Sequence, residues 1–248
     1  ITIKTWLRTQ MKTAVTVAAA IGGGGSVLVL CLKFVRKRIF LKSIPYKANE
    51  YGVGKHRTKK GATAEIRLAT GADADQILRL VQGLALYENE PITTVELTAA
   101  DFKRDLLAEK FYCFLVDLDD NIGVGIALFY PTYSTWQGSC IYLEDLYVDE
   151  KSRKHGLGSL LIKSVAAFAY ARGAARLHWN ALDWNTPALD FYKSCGATRL
   201  NEWVTLRMPR PQIASFLGIS TIDEYSSVLQ SNMPDASPYL SAVLNFSN

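Results

Sequence analysis

The sequence predicts an α/β protein built on a mixed sheet, and three observations predict it. Apolar runs of strand length recur at FYCFLVDL (111–118), GVGIALFYPTYS (123–134) and CIYLEDLYV (140–148), and a DDNIG turn separates the first two. A strand–helix–strand order over 140–183 calls for a parallel crossover, because parallel neighbours cannot be joined by a tight hairpin. The helix of that crossover opens on RKHGLG, Arg153 to Gly158, a basic loop with two glycines. Antiparallel hairpins on one side of a parallel unit make a mixed α+β sheet. The lone glycine pair is not GxGxxG, which speaks against a doubly wound dinucleotide fold.

Each element follows from a local pattern. EIRLAT (65–70) reads as a short strand. Ile77, Leu80, Val81, Leu84 and Ala85 recur at three to four residues, as on one face of a helix, with Asp73 or Asp75 as its cap and Pro91 as its stop. TAADFKRDLLA (98–108) is a second helix capped by Thr98. SLLIKSVAAFAYARG follows the glycine loop as a helix that Gly173 ends. ARLHWNALD (175–183) reads as a strand. TPALDFYKSCG (186–196) is a helix with Pro187 in its first turn and Gly196 past its end. ATRLNEWVTLRM (197–208) closes the body with strand character. There is no internal repeat.

Charge divides the chain into a leader and a body. Residues 1–61 hold 13 Lys/Arg and one acid, whereas residues 62–248 hold 15 Lys/Arg and 22 Asp/Glu. A net +12 leader thus precedes a net −7 body, and the overall +5 is not a nucleic-acid footprint. An acidic body favours small cationic partners. Cys31, Cys113, Cys140 and Cys195 show no metal or CxxC spacing, so they read as small buried hydrophobes or free thiols in a reducing compartment.

The uncharged run 13–32 is long enough for a roughly 30 Å hydrocarbon core at about 1.5 Å per residue. More basic residues follow it than precede it, which directs its C-terminal side to the cytoplasm. Three readings stay open: a signal-anchor helix, a cleaved signal or transit peptide, and a leader with no such role. The first methionine is Met11, so the start residue is open as well. The organisation expected is a basic leader (1–42), a polar basic linker (43–64), a body (65–217) and a polar, Ser-rich tail (218–248).

The loop at 153–158 carries chemistry. A turn between a strand and a helix N-terminus points free N–H groups outward, glycine lets a ligand approach the backbone, and the helix dipole favours a phosphate or pyrophosphate. A solvated basic turn is the plainer reading of the same residues. Upstream, LEDLYV places Glu144 and Asp145 in an apolar strand, where strict alternation sends Glu144 to the face opposite Leu143 and Asp145. A carboxylate there is costly unless paired or hydrated. Downstream, Asn185 ends a strand and opens a helix that carries Tyr192.

These pieces together resemble the GNAT acetyltransferase superfamily over roughly Glu65 to Met208. Within it, ALYENE, YSTWQG, YLEDLYV and LDWNTPALDFYKSCGA resemble the diamine (spermidine/spermine) N-acetyltransferase family, and YSTW with LDWN leans toward the thialysine branch. The resemblance implies a GNAT-type fold with mostly antiparallel N-terminal strands and a parallel crossover around a cofactor splay. It implies acetyl-CoA as cosubstrate, no metal, a small primary amine as acceptor and a homodimer.

It also implies site residues. Arg153, Lys154, His155, Gly156, Leu157, Gly158 and Ser159 would cradle the pyrophosphate. The backbone of Leu146, Tyr147 and Val148 would pair with the pantetheine arm, and Asn185, Thr186, Pro187 and Ala188 would hold its other side. Tyr192 would face the sulfur and act as the acid. An ammonium must lose its proton to become a nucleophile, and Glu144 is the candidate base. Tyr87, Glu88, Trp136, Glu144, Asp145 and Glu202 would recognise the amine through charge and cation–π contact. Each also has a plainer reading, as a paired strand acid, a packed tyrosine or a surface acid. Ser134 stands where spermidine-preferring members commonly carry an acid, which suits a smaller, lysine-like amine. Lys154–His155 departs from the smaller residues usual in the loop, and the leader and tail lie outside the family core.

Two rivals to a membrane-tethered, cytoplasmic small-amine acetyltransferase stay open: a non-catalytic CoA-binding module at a membrane, and a protein lysine or N-terminal acetyltransferase.

Overall fold

The computed structural model describes residues 53–218. The chain divides into two compact units, 1–182 and 183–248. The expected leader (1–42), with its apolar run 13–32, and nearly all of the tail lie outside the described residues. Among the described residues no helix is long and apolar enough to cross a membrane.

The first unit is a six-stranded sheet in sequential order: β1 (Gly54–Arg57), β2 (Thr63–Leu68), β3 (Tyr112–Leu118), β4 (Asn121–Ser134), β5 (Gly138–Val148) and β6 (Leu177–His178). Every pairing is antiparallel except β5 with β6, so the expected mixed sheet is what forms. Helices α1 (Ala74–Tyr87) and α2 (Ala99–Leu107) connect β2 to β3, and α3 (Leu157–Ala171) is the crossover from β5 to β6.

The helices cover both faces of the sheet. On one face Leu161, Val165 and Phe168 of α3 pack with Phe114, Phe129, Ile141 and Leu143. On the other, Ile77 and Leu80 of α1 and Phe102 and Leu106 of α2 pack with Cys113, Leu115, Ile126 and Leu128. Burial on both sides explains why FYCFLVDL is continuously apolar rather than alternating. Each fully buried Leu, Ile or Phe contributes about 1.5–3 kcal/mol. Phe168 sits at the centre, edge-on to Phe129 with centroids 4.8 Å apart. Cys113 and Cys140 are buried free thiols and Cys195 is an exposed one.

Several local details differ from expectation. β1 lies inside the stretch read as linker: GKHR has no apolar pattern, and only its ladder with Thr63–Ile66 makes it a strand. Asp73, one of the two aspartates expected there, stands at the N-cap of α1 but makes no side-chain cap bond to it. Asp73 instead turns back to the Thr70 amide at 2.7 Å, closing a capping box around a short 3-10 turn, Gly71–Asp73. Thr98 caps α2 as expected, in a box with Asp101. The strand expected over 175–183 shrinks to Leu177–His178, paired with Ile141 and Tyr142. β5 bulges at Glu144, just beyond that pairing, and a bulge bends its strand and disrupts the local ladder.

The second unit holds α4 (Thr186–Ser194) and α5 (Arg210–Leu217). No strand forms at 197–208, although strand character was expected there. Leu200, Val204 and Leu206 stay exposed, because strand propensity without a ladder partner leaves backbone and side chains to solvent.

Candidate active site

The β4–β5 register builds the site. Leu128 pairs with Asp145 and Phe129 with Leu143, so Glu144 is the extra residue of a bulge. The bulge reverses the alternation of β5. Before it, Ile141 and Leu143 face α3; after it, Leu146 and Val148 do. Tyr147 meanwhile joins the α1–α2 side. The expectation that Glu144 and Asp145 lie on opposite faces is therefore corrected: both turn to the α1–α2 face. Asp145 is opposite Leu128, and Glu144 meets Tyr130, which packs against that same core.

The two carboxylates differ in environment. Glu144 is exposed, and its Oε2 accepts a 2.6 Å hydrogen bond from the Tyr130 hydroxyl. Asp145 is half-buried. Burial first, then the charges of Glu144 and Glu88, push its carboxyl up to about 7. Glu88 follows the last turn of α1, and burial and the neighbouring Glu90 raise it too. Three acids thus converge where α1 ends over β5, and a cation is the ligand that would relieve their mutual repulsion. Sequence reasoning missed Tyr130. The signal available was the adjacent acid pair itself, since two successive acids in a half-buried strand suggest a bulge.

Arg153 organises the neighbouring end of β5. Its Nε donates to the Val148 carbonyl at 3.0 Å, and its guanidinium lies 4.7 Å from the Tyr87 ring centroid and 5.7 Å from that of Tyr147. Tyr147 fits because Gly83 of α1 has no side chain: a Cβ there would come within 3.0 Å of the Tyr147 ring. Among the described residues no strand pairs with β5 on its β6 side beyond Tyr142, so Leu146 and Tyr147 present their main chain along that edge.

The loop from Arg153 has the geometry of an anion cradle. Lys154 and Gly156 take left-handed conformations, with φ of 65° and 79°. Gly156 stands at the N-cap of α3, and no side chain caps the helix, so the first-turn amides of Leu157, Gly158 and Ser159 are not screened by a capping group. A Cβ built on Gly156 would meet nothing, so the positive φ rather than crowding is what favours glycine there. His155 Nδ1 is buried without a hydrogen-bond partner. Uncapped amides, an orphaned imidazole nitrogen and flanking basic residues fit a phosphate group. Among the described residues no group of His, Cys, Asp and Glu could hold a metal ion.

Of the remaining expected residues, Trp136 lies apart from this cluster and the rest belong to the second unit. Trp136 sits in the β4–β5 turn, 88% exposed. It is on the order of 20 Å along the strand from Glu144. In the second unit Asn185 is buried and caps α4, its side-chain oxygen accepting from the Ala188 amide at 3.3 Å, with Thr186 and Pro187 opening the helix. Tyr192 lies on α4 with its ring 5.4 Å from that of Phe191. Glu202 is exposed in a turn.

Comparison with known proteins agrees with this architecture. The profile of the Acetyltransferase (GNAT) family matches residues 78–197. A thialysine N-epsilon-acetyltransferase of Bos taurus is 38% identical over 146 residues, covering 55% of this chain and 85% of the relative. The Homo sapiens spermidine/spermine N(1)-acetyltransferase-like protein 1 is 33% identical over 160 residues, covering 60% of this chain and 23% of that longer protein. A solved aminoglycoside acetyltransferase from an uncultured soil metagenomic sample shares the fold, with a TM-score of 0.51 at 21% identity, over 59% of this chain and 95% of that one. With its strand, loop and crossover helix inside the family match and with such relatives along its body, the chain belongs to the acetyltransferase (GNAT) family, and its body is an N-acetyltransferase domain.

Proposed function

We propose that the chain transfers an acetyl group from acetyl-CoA to a primary amine of a small polyamine or lysine-like substrate. The observation that carries this reading is the convergence of Glu88, Glu144 and Asp145 beside a strand edge and an anion cradle. It puts a cation-seeking face next to a phosphate-seeking loop. The kinship with the bovine thialysine enzyme and the human spermidine/spermine-type protein supports an amine acceptor. Ser134, without charge at the β4–β5 turn, favours a lysine-like amine over a long polyamine.

Acetyl-CoA supplies the activated acyl group. The amides of residues 157–159, with Arg153, Lys154 and His155, hold its pyrophosphate, and the edge of Leu146–Val148 aligns its arm. On the second unit Asn185, Thr186, Pro187 and Ala188 belong to the same binding role. Glu144 takes the proton from the ammonium, and Tyr192 returns one to the departing thiolate. Tyr87, Glu88, Asp145 and Glu202 recognise the amine, whereas Trp136, about 20 Å along β5 from Glu144, lies beyond the reach of a small amine held there. In this reading the enzyme is a homodimer with its catalytic body in the cytoplasm, and residues 13–32 tether it to a membrane.

The test is thiol release from acetyl-CoA by the full chain against thialysine, lysine, spermidine, putrescine and a lysine peptide. Turnover with a free small amine and little with the peptide is expected. Acetyl-CoA binding without turnover on any amine overturns the enzymatic reading, and peptide rates equal to those of the small amines overturn the substrate class.

A further inference from the structure

We propose that Tyr130 is a positioning residue for Glu144, anchoring one carboxylate oxygen so that the other stays free to take the proton of the amine. The inference rests on Glu144 being the base.

Glu144 is the loose residue of a bulge. It is exposed, and apart from its backbone only a partner can hold its side chain in one rotamer. Tyr130 is that partner, at 2.6 Å. Its phenol is itself fixed. Tyr130 is the cross-strand neighbour of Tyr142, their rings stack with centroids 5.4 Å apart and 28° between planes, and Tyr142 meets His178 edge-on at 5.2 Å. A stacked pair held from both sides delivers the hydroxyl to one place.

The hydrogen bond also sets how Glu144 meets the acid beside it. The groups facing Glu144 and its neighbour are Asp145 and Tyr142 on β5, Tyr130 on β4, Cys113 on β3 and Glu88 after α1. Adjacent carboxylates resist double ionisation. Burial raises the Asp145 carboxyl, whereas Glu144 is exposed and accepts from a phenol. Burial, then the hydrogen bond to Glu144 and after it the Glu144 charge, raises the Tyr130 hydroxyl, so Tyr130 stays a donor throughout the neutral range. Without that donor the Glu144 carboxylate is free to turn toward Asp145, whose raised carboxyl depends in part on the Glu144 charge.

The experiment measures kcat/KM against pH for the full chain with acetyl-CoA and thialysine, and again with spermidine, in wild type, Tyr130→Phe, Glu144→Gln and the double variant. Phe keeps the ring and its stacking and removes only the donor. Tyr130→Phe is expected to move the acidic limb upward by about half to one pH unit and to lower kcat about five- to tenfold, with KM for acetyl-CoA unchanged. In the Glu144→Gln background the same change is expected to add nothing. A merely structural role would lower the melting temperature and leave the limb in place. An inactive Glu144→Gln beside a Tyr130→Phe enzyme with wild-type kcat and limb overturns the proposal and leaves the base standing. A Glu144→Gln enzyme within twofold of wild type overturns the base, and the role of Tyr130 falls with it.

Discussion

Replacing Asp145 by Asn is expected to stabilise the protein at pH 8 and to change little at pH 4. Asp145 is held at about 7 in the folded chain against an ordinary value of 3.8. Its folded pKa is raised, so between those values the native state binds the proton that the unfolded state has released. Stability therefore falls as pH rises through that window and levels off above about 7. At about 1.36 kcal/mol per unit, the cost at pH 8 is about 4 kcal/mol at full value. Water reaching a half-buried carboxylate reduces it to about 2 kcal/mol. For a domain of this size that corresponds to a rise of about 4–8 °C in Tm for Asp145→Asn at pH 8. The assay is thermal and urea unfolding of both proteins at pH 4, 6 and 8, followed by circular dichroism. A difference between them that does not change with pH, or a variant less stable than wild type at pH 8, would refute burial among like charges as the origin of the shift. If the three acids recognise the amine as proposed, the same substitution is expected to raise KM for the amine.

Three further outcomes are expected. Gly125→Ala places a Cβ within 2.9 Å of the Tyr147 carbonyl and of Val116, and because a backbone oxygen cannot step aside it should cost about 1–3 kcal/mol in urea unfolding. Thr98→Ala removes the side-chain cap of α2 and should lower stability by about 1 kcal/mol, with kcat unchanged. Arg153→Ala removes both the cation over Tyr87 and Tyr147 and the donor to Val148, and is expected to raise KM for acetyl-CoA about tenfold while kcat changes less. Isothermal titration with CoA checks it, and an unchanged affinity would remove Arg153 from the cofactor loop.

Much of the fold was legible because it rests on local pattern. The 3–4 spacing of Ile77, Leu80, Val81, Leu84 and Ala85 is enough to give α1, and the threonine before AADF is enough to cap α2. The loop at Arg153 was legible as the start of a helix, because a glycine that takes a left-handed turn there is a local signal. β1 was not legible, since GKHR is a strand only by virtue of what lies beside it. The reverse error came at ARLHWNALD and ATRLNEWVTLRM. Both have residues that suit a strand, and only two of them found a ladder.

The site divides in the same way. By itself the sequence determined which chemical groups are present: the acids of LEDLYV, the glycine loop, the aromatic residues at the end of α1. Tertiary structure alone decided how they work together. The bulge opposite Leu128 and Phe129 turned Glu144 onto the face of Asp145, the tyrosine across the strand chose which of the two is held, and α1 brought Glu88 over both. Helix period and turn chemistry act over a few neighbouring residues and are written in them. Register, desolvation and the repulsion of like charges depend on partners far along the chain, and they come into being only when the sheet is assembled.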